Sequence, residues 1–144
     1  AEKGNRIEAG VPDFPNRTNL SHIREINNDS IFVRTFERGA GFTLSCGSAM
    51  ASSAYAFYSK ARSMGHSVRR IRVVTNGGLV FAEIKGEGSP EQSVDIVGNA
   101  TNVFFADVDF EQSTGKLSNL FQGGLYLDEI SAFEGVVNDS ERLS

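Results

Sequence analysis

The sequence predicts an α+β fold in which a mixed, largely antiparallel sheet curves around one central helix. Short alternating apolar and polar segments, separated by turn residues, are typical of strands. One long segment, residues 47–64, instead has helical spacing and many small side chains. A chain of 144 residues is long enough for a core of its own. We therefore expect residues 1–144 to form a single domain.

The first two predicted strands are residues 19–26 and 30–36. An Asn-Asn-Asp segment at 27–29 separates them, and these residue types turn the backbone readily. The second strand is followed by Glu37 and Arg38, which places both charged residues at a strand end. Side chains at such a position can reach a cleft.

The predicted central helix spans residues 47–64, with Gly65 as its stop. Small residues occupy nearly every face, and only a slim helix lets strands approach from several sides. We therefore expect the helix to be enclosed by the sheet. One set of residues recurs at spacings of three and four: Met50, Ala54, Phe57, Tyr58, Ala61 and Met64.

Four more strands are predicted after the helix. Residues 71–75 and 79–85 flank an Asn-Gly-Gly turn at 76–78, which is a good hairpin signal. Residues 94–97 and 101–108 supply two further candidates.

Composition excludes several classes of protein. The formal net charge is −4, from 14 basic and 18 acidic residues, and gives no electrostatic footprint for nucleic acid. No apolar run is long enough to span a membrane. His22 and His66 have neither the spacing of a metal pair nor a nucleophile partner. We expect a cytoplasmic protein without metal, cofactor, nucleic-acid or membrane partners.

Cys46 is the only cysteine, and it lies where a glycine-rich turn becomes the predicted helix. Helix-start amides and the positive end of the helix dipole favour a thiolate over a thiol. A lone cysteine among small residues is more often an inert packing residue. Its helix-start position, together with the motif around it, favours a reactive thiol. We expect iodoacetamide to alkylate it faster than a free thiol at neutral pH.

The segment around Cys46 resembles the second cysteine motif of the diaminopimelate epimerase family, E-R-G-A-G-E-T-x-A-C-G-[ST]-G-A. The similarity continues at residues 14–20, which resemble an F-P-x-x-x-N-V segment, and at 30–36, 76–78 and 97–100, and it covers about residues 12–110. The motif is matched without a gap at Glu37, Arg38, Gly39, Ala40, Gly41, Thr43, Cys46, Gly47 and Ser48.

The resemblance implies a cofactor-independent epimerase that interconverts LL- and meso-diaminopimelate, for lysine and peptidoglycan precursor synthesis. Two thiols would exchange the α-proton, and each half of such an enzyme carries one of them. The chain begins at Ala1 and has no C-G-N-G motif for the first thiol. We therefore expect it to be the carboxy-terminal half, inactive alone, partnered by an amino-terminal lobe, with a homodimer as a further possibility.

The resemblance also assigns roles to site residues. Cys46 would be one of the two catalytic thiols. Glu37 would accept or relay the thiol proton and contact the substrate α-amino group. Arg38 would hold the distal carboxylate, and Asn19 would help to fix that end of the substrate. The backbone amides of Gly47 and Ser48 would receive the α-carboxylate at the helix start.

Two departures from the family pattern leave the substrate open. Phe42 replaces the usual glutamate, and Ala49-Met50 replaces the usual glycine and alanine. The first removes a carboxylate that could order the loop, and the second adds bulk beside the predicted anion site, so either change could alter the choice of substrate. The alternatives are a racemase of the same family for another amino acid, such as histidine, and a non-catalytic amino-acid-binding module.

The last part of the chain, about residues 111–144, is an extension outside the family resemblance. Residues 125–130 are predicted to form a strand. Residues 140–144 are polar and are expected to fray.

Overall fold

The structure is a computed structural model that describes residues 2–8 and 10–143, and it divides the chain into two compact units. The first unit contains the residues up to 98 and those from 137 onward. The second unit contains residues 99–136. No described helix is long and apolar enough to cross a membrane.

The secondary structure follows the chain in this order. The first unit contains α1 (Glu2–Glu8), β1 (Leu20–Asn27), β2 (Ser30–Glu37), β3 (Gly41–Phe42), α2 (Gly47–Ser63), β4 (Arg70–Thr75), β5 (Gly78–Lys85) and β6 (Ser93–Val97). The second unit contains β7 (Phe104–Glu111), β8 (Lys116–Leu125) and the start of α3 (Leu127–Glu141).

The first unit is built on a mixed, largely antiparallel sheet with the strand order β1-β2-β4-β5-β6, and β3 pairs with β2. Only the β2–β4 pair is parallel. Tight turns connect β1 to β2 and β4 to β5, as the Asn-, Asp- and Gly-rich segments between them predicted. The predicted α+β class is therefore confirmed.

One face of α2 forms the core with the sheet. Its buried residues include Met50, Phe57 and Tyr58, which pack with Ile31 and Val33 of β2 and with apolar residues of β4 and β5. The opposite face of the helix is open, and Tyr55 on that face is 43% exposed. The sheet therefore covers α2 along one face in the described chain rather than enclosing it.

The structure differs from two predictions for the carboxy-terminal part of the chain. The segment 125–130 was predicted to be a strand, but β8 ends at Leu125 and α3 begins at Leu127. Residues 140–144 were predicted to fray, but Ser140 is fully buried, and the Arg24 guanidinium donates a hydrogen bond to the Leu143 carbonyl. Residue 144 lies outside the described residues.

Helix α1, which the sequence did not predict, packs against the carboxyl end of β2. Gly4 is buried, and a Cβ built on it would lie 2.5 Å from Cγ of Phe36. The Phe36 ring also meets the Phe42 ring edge-on, with the centroids 5.2 Å apart. Because Glu37 directly follows Phe36, these contacts fix the strand end that carries it.

The second unit contains a two-stranded antiparallel ribbon, β7–β8, with exposed apolar pairs. Phe104 lies opposite Leu125, and Phe110 lies opposite Leu117. Directly opposed residues share a face, and all four of these side chains are exposed. Within the same unit, Glu129 accepts hydrogen bonds from the backbone and side-chain amides of Asn102, which lower the pKa of its carboxyl.

A cluster of charged groups joins the loop after β5 to the end of α2. Glu87 forms ion pairs with Arg69 at 2.5 Å and with Arg62 at 3.5 Å. The pKa of the Glu87 carboxyl is lowered, chiefly by the buried Tyr58 hydroxyl and then by the two arginines. Among the described residues, this hydroxyl forms no hydrogen bond of ordinary geometry, so its effect on Glu87 comes from proximity. The ionised carboxylate is therefore favoured in the folded chain.

Replacing Gly4 by alanine should lower the free energy of unfolding by about 1–3 kcal/mol, the usual range for overpacking an interior contact. The added methyl group would overlap the Phe36 ring. Denaturant unfolding followed by circular dichroism measures the change. As a matched control, Gly135→Ala in α3 meets no atom within 4 Å, so it should raise stability by about 0.5–1 kcal/mol. Equal effects of both variants would contradict the packing of α1 on Phe36.

The Glu87 cluster makes stability depend on pH. In the folded chain the pKa of Glu87 lies below its ordinary value of 4.5. The contribution of this carboxylate to the free energy of unfolding is therefore complete above pH 4.5, and it is lost as the pH falls through the folded pKa. Glu87→Gln should therefore lose less stability than the unchanged chain on acidification. Urea unfolding at a series of pH values tests this, with Tyr58→Phe as a variant that removes only the hydroxyl. Parallel pH profiles for Glu87→Gln and the unchanged chain would refute the role of Glu87.

Candidate active site

Cys46 occupies the N-cap position of α2. Its backbone is extended, with φ −141° and ψ 113°, and its carbonyl accepts the first helical hydrogen bond from the Met50 amide at 2.9 Å. The amides of Gly47 and Ser48 therefore lie in the first turn, where helix amides have no intrahelical partner. The thiol is partly exposed, and Sγ lies 3.5 Å from the Ser48 hydroxyl.

Asn19 links Cys46 to Arg38. Its amide Nδ2 donates a long hydrogen bond of 4.0 Å to Cys46 Sγ. Its Oδ1 accepts a 2.9 Å hydrogen bond from the Arg38 backbone amide. The Arg38 guanidinium in turn donates to the Asn16 carbonyl at 3.1 Å. The segment before β1 and the residues after β2 are thus joined at two points.

Glu37 lies at the end of β2, and its carboxylate accepts a hydrogen bond from the Thr43 hydroxyl. A turn connects Glu37 to the segment that carries Thr43, and it is closed by a 3.1 Å hydrogen bond from the Ala40 amide to the Glu37 carbonyl. Gly39 and Gly41 have positive φ values of 82° and 73° in this turn, which glycine adopts without steric penalty. The glycines of the motif therefore allow Thr43 to reach back to Glu37.

An open cleft of about 470 Å³ lies between the segment before β1 and the start of α2. Among the described residues its lining contains two arginines, hydroxyl and amide side chains, and no carboxylate, so this part of the lining is positively charged. The lining residues are Arg17, Thr18, Asn19, Ser21, Arg38, Ser48, Ala49 and Ser52. A cleft of this composition is suited to a small anionic ligand.

The β4–β5 turn supports the chain just before Cys46. The Gly77 amide donates a 2.9 Å hydrogen bond to the Leu44 carbonyl. A Cβ on Gly77 would lie 3.1 Å from Leu44 Cβ and 3.2 Å from Ser45 Oγ. A side chain at this position would have to push Leu44 or Ser45 aside, so glycine lets the turn lie close against the residues that precede the thiol.

The two departures from the family motif have structural explanations. Phe42 packs against Phe36, and the Arg34 guanidinium lies 4.2 Å from the centroid of its ring. Met50 is buried in the core between α2 and the sheet. Only Ala49 lines the cleft. The substitutions therefore act mainly on packing behind the site.

The structure brings Asn19, Arg38 and Ser48 together along the cleft, with the Cys46 thiol beside Asn19 and Ser48. Glu37 lies at the adjacent strand end with Thr43 as its hydrogen-bond partner. Sequence reasoning did not identify two features of this region. One is the lining residue Arg17, whose positive φ no sequence pattern signalled, and the other is the support from Gly77.

The histidines lie apart from this region. His22 is an exposed residue of the edge strand β1, and His66 is exposed after α2. Among residues 2–8 and 10–143, no group of three or more histidine, cysteine, aspartate or glutamate side chains is arranged to hold a metal ion.

Comparisons with known proteins agree with the motif. The model of the family described as diaminopimelate epimerase matches residues 2–109. The diaminopimelate epimerase of Listeria innocua is 38% identical over 103 residues, which cover 72% of this chain and 31% of the relative. The diaminopimelate epimerase of Lactiplantibacillus plantarum is 34% identical over 100 residues, which cover 69% of this chain and 30% of the relative.

The corresponding protein of Clostridium acetobutylicum is 32% identical over 114 residues, covering 77% of this chain and 32% of the relative. The chain thus spans about a third of the length of the curated relatives it matches. With a family match across most of its length, the chain belongs to the diaminopimelate epimerase family.

Proposed function

We propose that this chain is the carboxy-terminal half of a cofactor-independent diaminopimelate epimerase, which interconverts the LL and meso forms of diaminopimelate. The observation that carries the proposal is the Cys46 thiol at the start of α2, beside a cleft lined by two guanidinium groups. The substrate is a dicarboxylate, so both its anionic ends have partners of the right charge in this cleft.

The reaction inverts an α-carbon by removing its proton on one face and returning a proton on the other. A thiolate can act as the base and a thiol as the acid, because each becomes the other after one proton transfer. The two sulfurs must then flank the α-carbon. Cys46 supplies one of them, and an amino-terminal lobe with its own cysteine supplies the other.

Glu37 is proposed to accept or relay the Cys46 proton and to contact the substrate α-amino group. Thr43 donates a hydrogen bond to Oε1 of this carboxylate, and an ionised carboxylate has further acceptor sites on both oxygens. The hydroxyl therefore fixes the orientation of Glu37 while leaving capacity for a proton or an ammonium group.

The substrate carboxylates are proposed to bind at separate places. The backbone amides of Gly47 and Ser48 at the start of α2 receive the α-carboxylate, since unpaired amides and the helix dipole attract anions. Arg38 binds the distal carboxylate, and Asn19 helps to fix that end. The hydrogen bond from the Arg38 amide to Asn19 and the one from its guanidinium to Asn16 hold this arginine in place.

Cys46→Ala should reduce α-proton exchange on diaminopimelate by at least about 100-fold, because it removes a proton-transfer group. The measurement is NMR of exchange in heavy water, using this chain joined to an upstream lobe that carries the C-G-N-G cysteine. Ser45→Ala is the matched control, since it changes the neighbouring residue without removing the thiol, and it should exchange at the normal rate.

The same experiment separates the alternatives. The chain without an upstream lobe should show no exchange, because only one of the two thiols is present. Exchange of the α-proton of histidine but not of diaminopimelate would show that histidine, and not diaminopimelate, is the substrate. Binding of diaminopimelate without exchange in the two-lobed protein would favour a non-catalytic binding module.

Gly77→Ala should lower the exchange rate of the two-lobed protein about tenfold while leaving the chain folded. The added Cβ would push on Leu44 and Ser45, and small misplacements of a reacting group reduce rates strongly. The exchange rate at saturating substrate and the affinity for the substrate are measured separately. We expect Gly77→Ala to lower the exchange rate and not the affinity. Gly98→Ala is the control, because its Cβ meets only Val80 at an ordinary 3.5 Å. Equal rates for both variants would remove the positioning role of Gly77.

A further inference from the structure

The orientation of the Asn19 side chain is fixed by a neighbouring backbone group. The Arg38 amide can only donate a hydrogen bond, and it lies 2.9 Å from one end of the Asn19 carboxamide. That end must be the oxygen Oδ1, because only the oxygen of a carboxamide accepts. The other end, Nδ2, is therefore the one that lies 4.0 Å from Cys46 Sγ.

Two polar side chains contact Sγ, and they differ in what they can do. Nδ2 of Asn19 can only donate, whereas the Ser48 hydroxyl, 3.5 Å from Sγ, can donate or accept. A thiolate accepts from both groups. A thiol has a hydrogen of its own and is only a weak acceptor. These contacts therefore favour the thiolate of Cys46, which is the form that can remove a proton.

We propose that Asn19 is a positioning residue for the Cys46 sulfur, which it stabilises as the thiolate through Nδ2. This inference deepens the proposed function and rests on it, because a thiolate is the base of the proposed reaction. It is compatible with the role of Asn19 at the distal carboxylate, since Nδ2 carries two hydrogens and one is enough for the sulfur.

Alkylation of Cys46 by iodoacetamide without substrate tests this role, because the thiolate and not the thiol is the nucleophile. The protein is this chain joined to an upstream lobe whose C-G-N-G cysteine is replaced by alanine. Mass spectrometry quantifies the product at Cys46 alone. If Asn19 acted only on the substrate, its replacement would not change the alkylation rate, since no substrate is present.

Asn19→Asp separates the contact with the sulfur from the contact with Arg38. Its carboxylate still accepts from the Arg38 amide, but it has no donor for Sγ and adds a negative charge beside it. At neutral pH we expect alkylation to slow about tenfold in Asn19→Asp and about threefold in Asn19→Ala, which loses the donor without adding charge. If Asn19 acted only by holding Arg38, Asn19→Ala would be the slower variant, and that order would overturn the inference.

Asn28→Asp is the matched control, because it makes the same chemical change in the turn after β1, at the opposite end of that strand from Asn19. Its alkylation rate should equal that of the unchanged protein. Repeating the assay at a series of pH values separates ionisation from access to the sulfur. At a pH high enough to ionise Cys46 in every variant, the rates should converge. A difference that persists there would show that the variants block access, and it would overturn the inference.

Exchange of the α-proton in the protein with both thiols completes the test. Asn19→Ala should lower the exchange rate on diaminopimelate at saturating substrate about threefold, because less Cys46 is present as thiolate. A loss of affinity alone, with normal alkylation, would reject this inference and leave Asn19 as a binding residue of the proposed function. Absence of exchange in the unchanged protein would instead reject the proposed function, whereas the alkylation rates would still decide whether Asn19 acts on Cys46.

Discussion

The parallel pairing of β2 with β4 determines where the candidate site forms. Parallel neighbours cannot be joined by a tight turn, so the chain must return along the sheet before β4 begins. Helix α2 makes this return with 17 residues, about 25 Å at 1.5 Å per residue, close to the length of the eight-residue β2. The helix therefore starts at the carboxyl end of β2. The start of the helix with Cys46 and the Glu37-Arg38 pair therefore lie at the same end of the sheet, where Asn19 contacts both Cys46 and Arg38.

Most of the first unit could be predicted from sequence because its signals are local. Turn residues marked both hairpins, and spacings of three and four marked α2. Helix α1 could not be predicted, because its seven residues include Gly4 and their position depends on contact with Phe36, which is distant in sequence. The strand predicted for 125–130 was wrong, because Asp128 and Glu129 lie in the first turn of α3, where acidic residues stabilise a helix.

The candidate site could be predicted as far as its motif extends. The motif placed Cys46 at the start of a helix, and the structure has it at the N-cap. The supporting contacts could not be predicted, since they join segments that are far apart in the chain. Gly77 lies against Leu44 across 33 positions, and Asn19 contacts Cys46 across 27. Such contacts follow from strand order, which local patterns do not specify.

The positions that depart from the family motif bear on the choice of substrate. Phe42 lies between an aromatic ring and a guanidinium, and Met50 lies in the core, so neither belongs to the cleft lining. Of these positions, only Ala49 lines the cleft, and its side chain is small and uncharged. The charge of the lining is set by its arginines. A ligand with two carboxylates gains from that charge at both ends, whereas the imidazole of histidine offers no anion to it. This difference supports the proposal of diaminopimelate rather than histidine as the substrate, despite the altered motif.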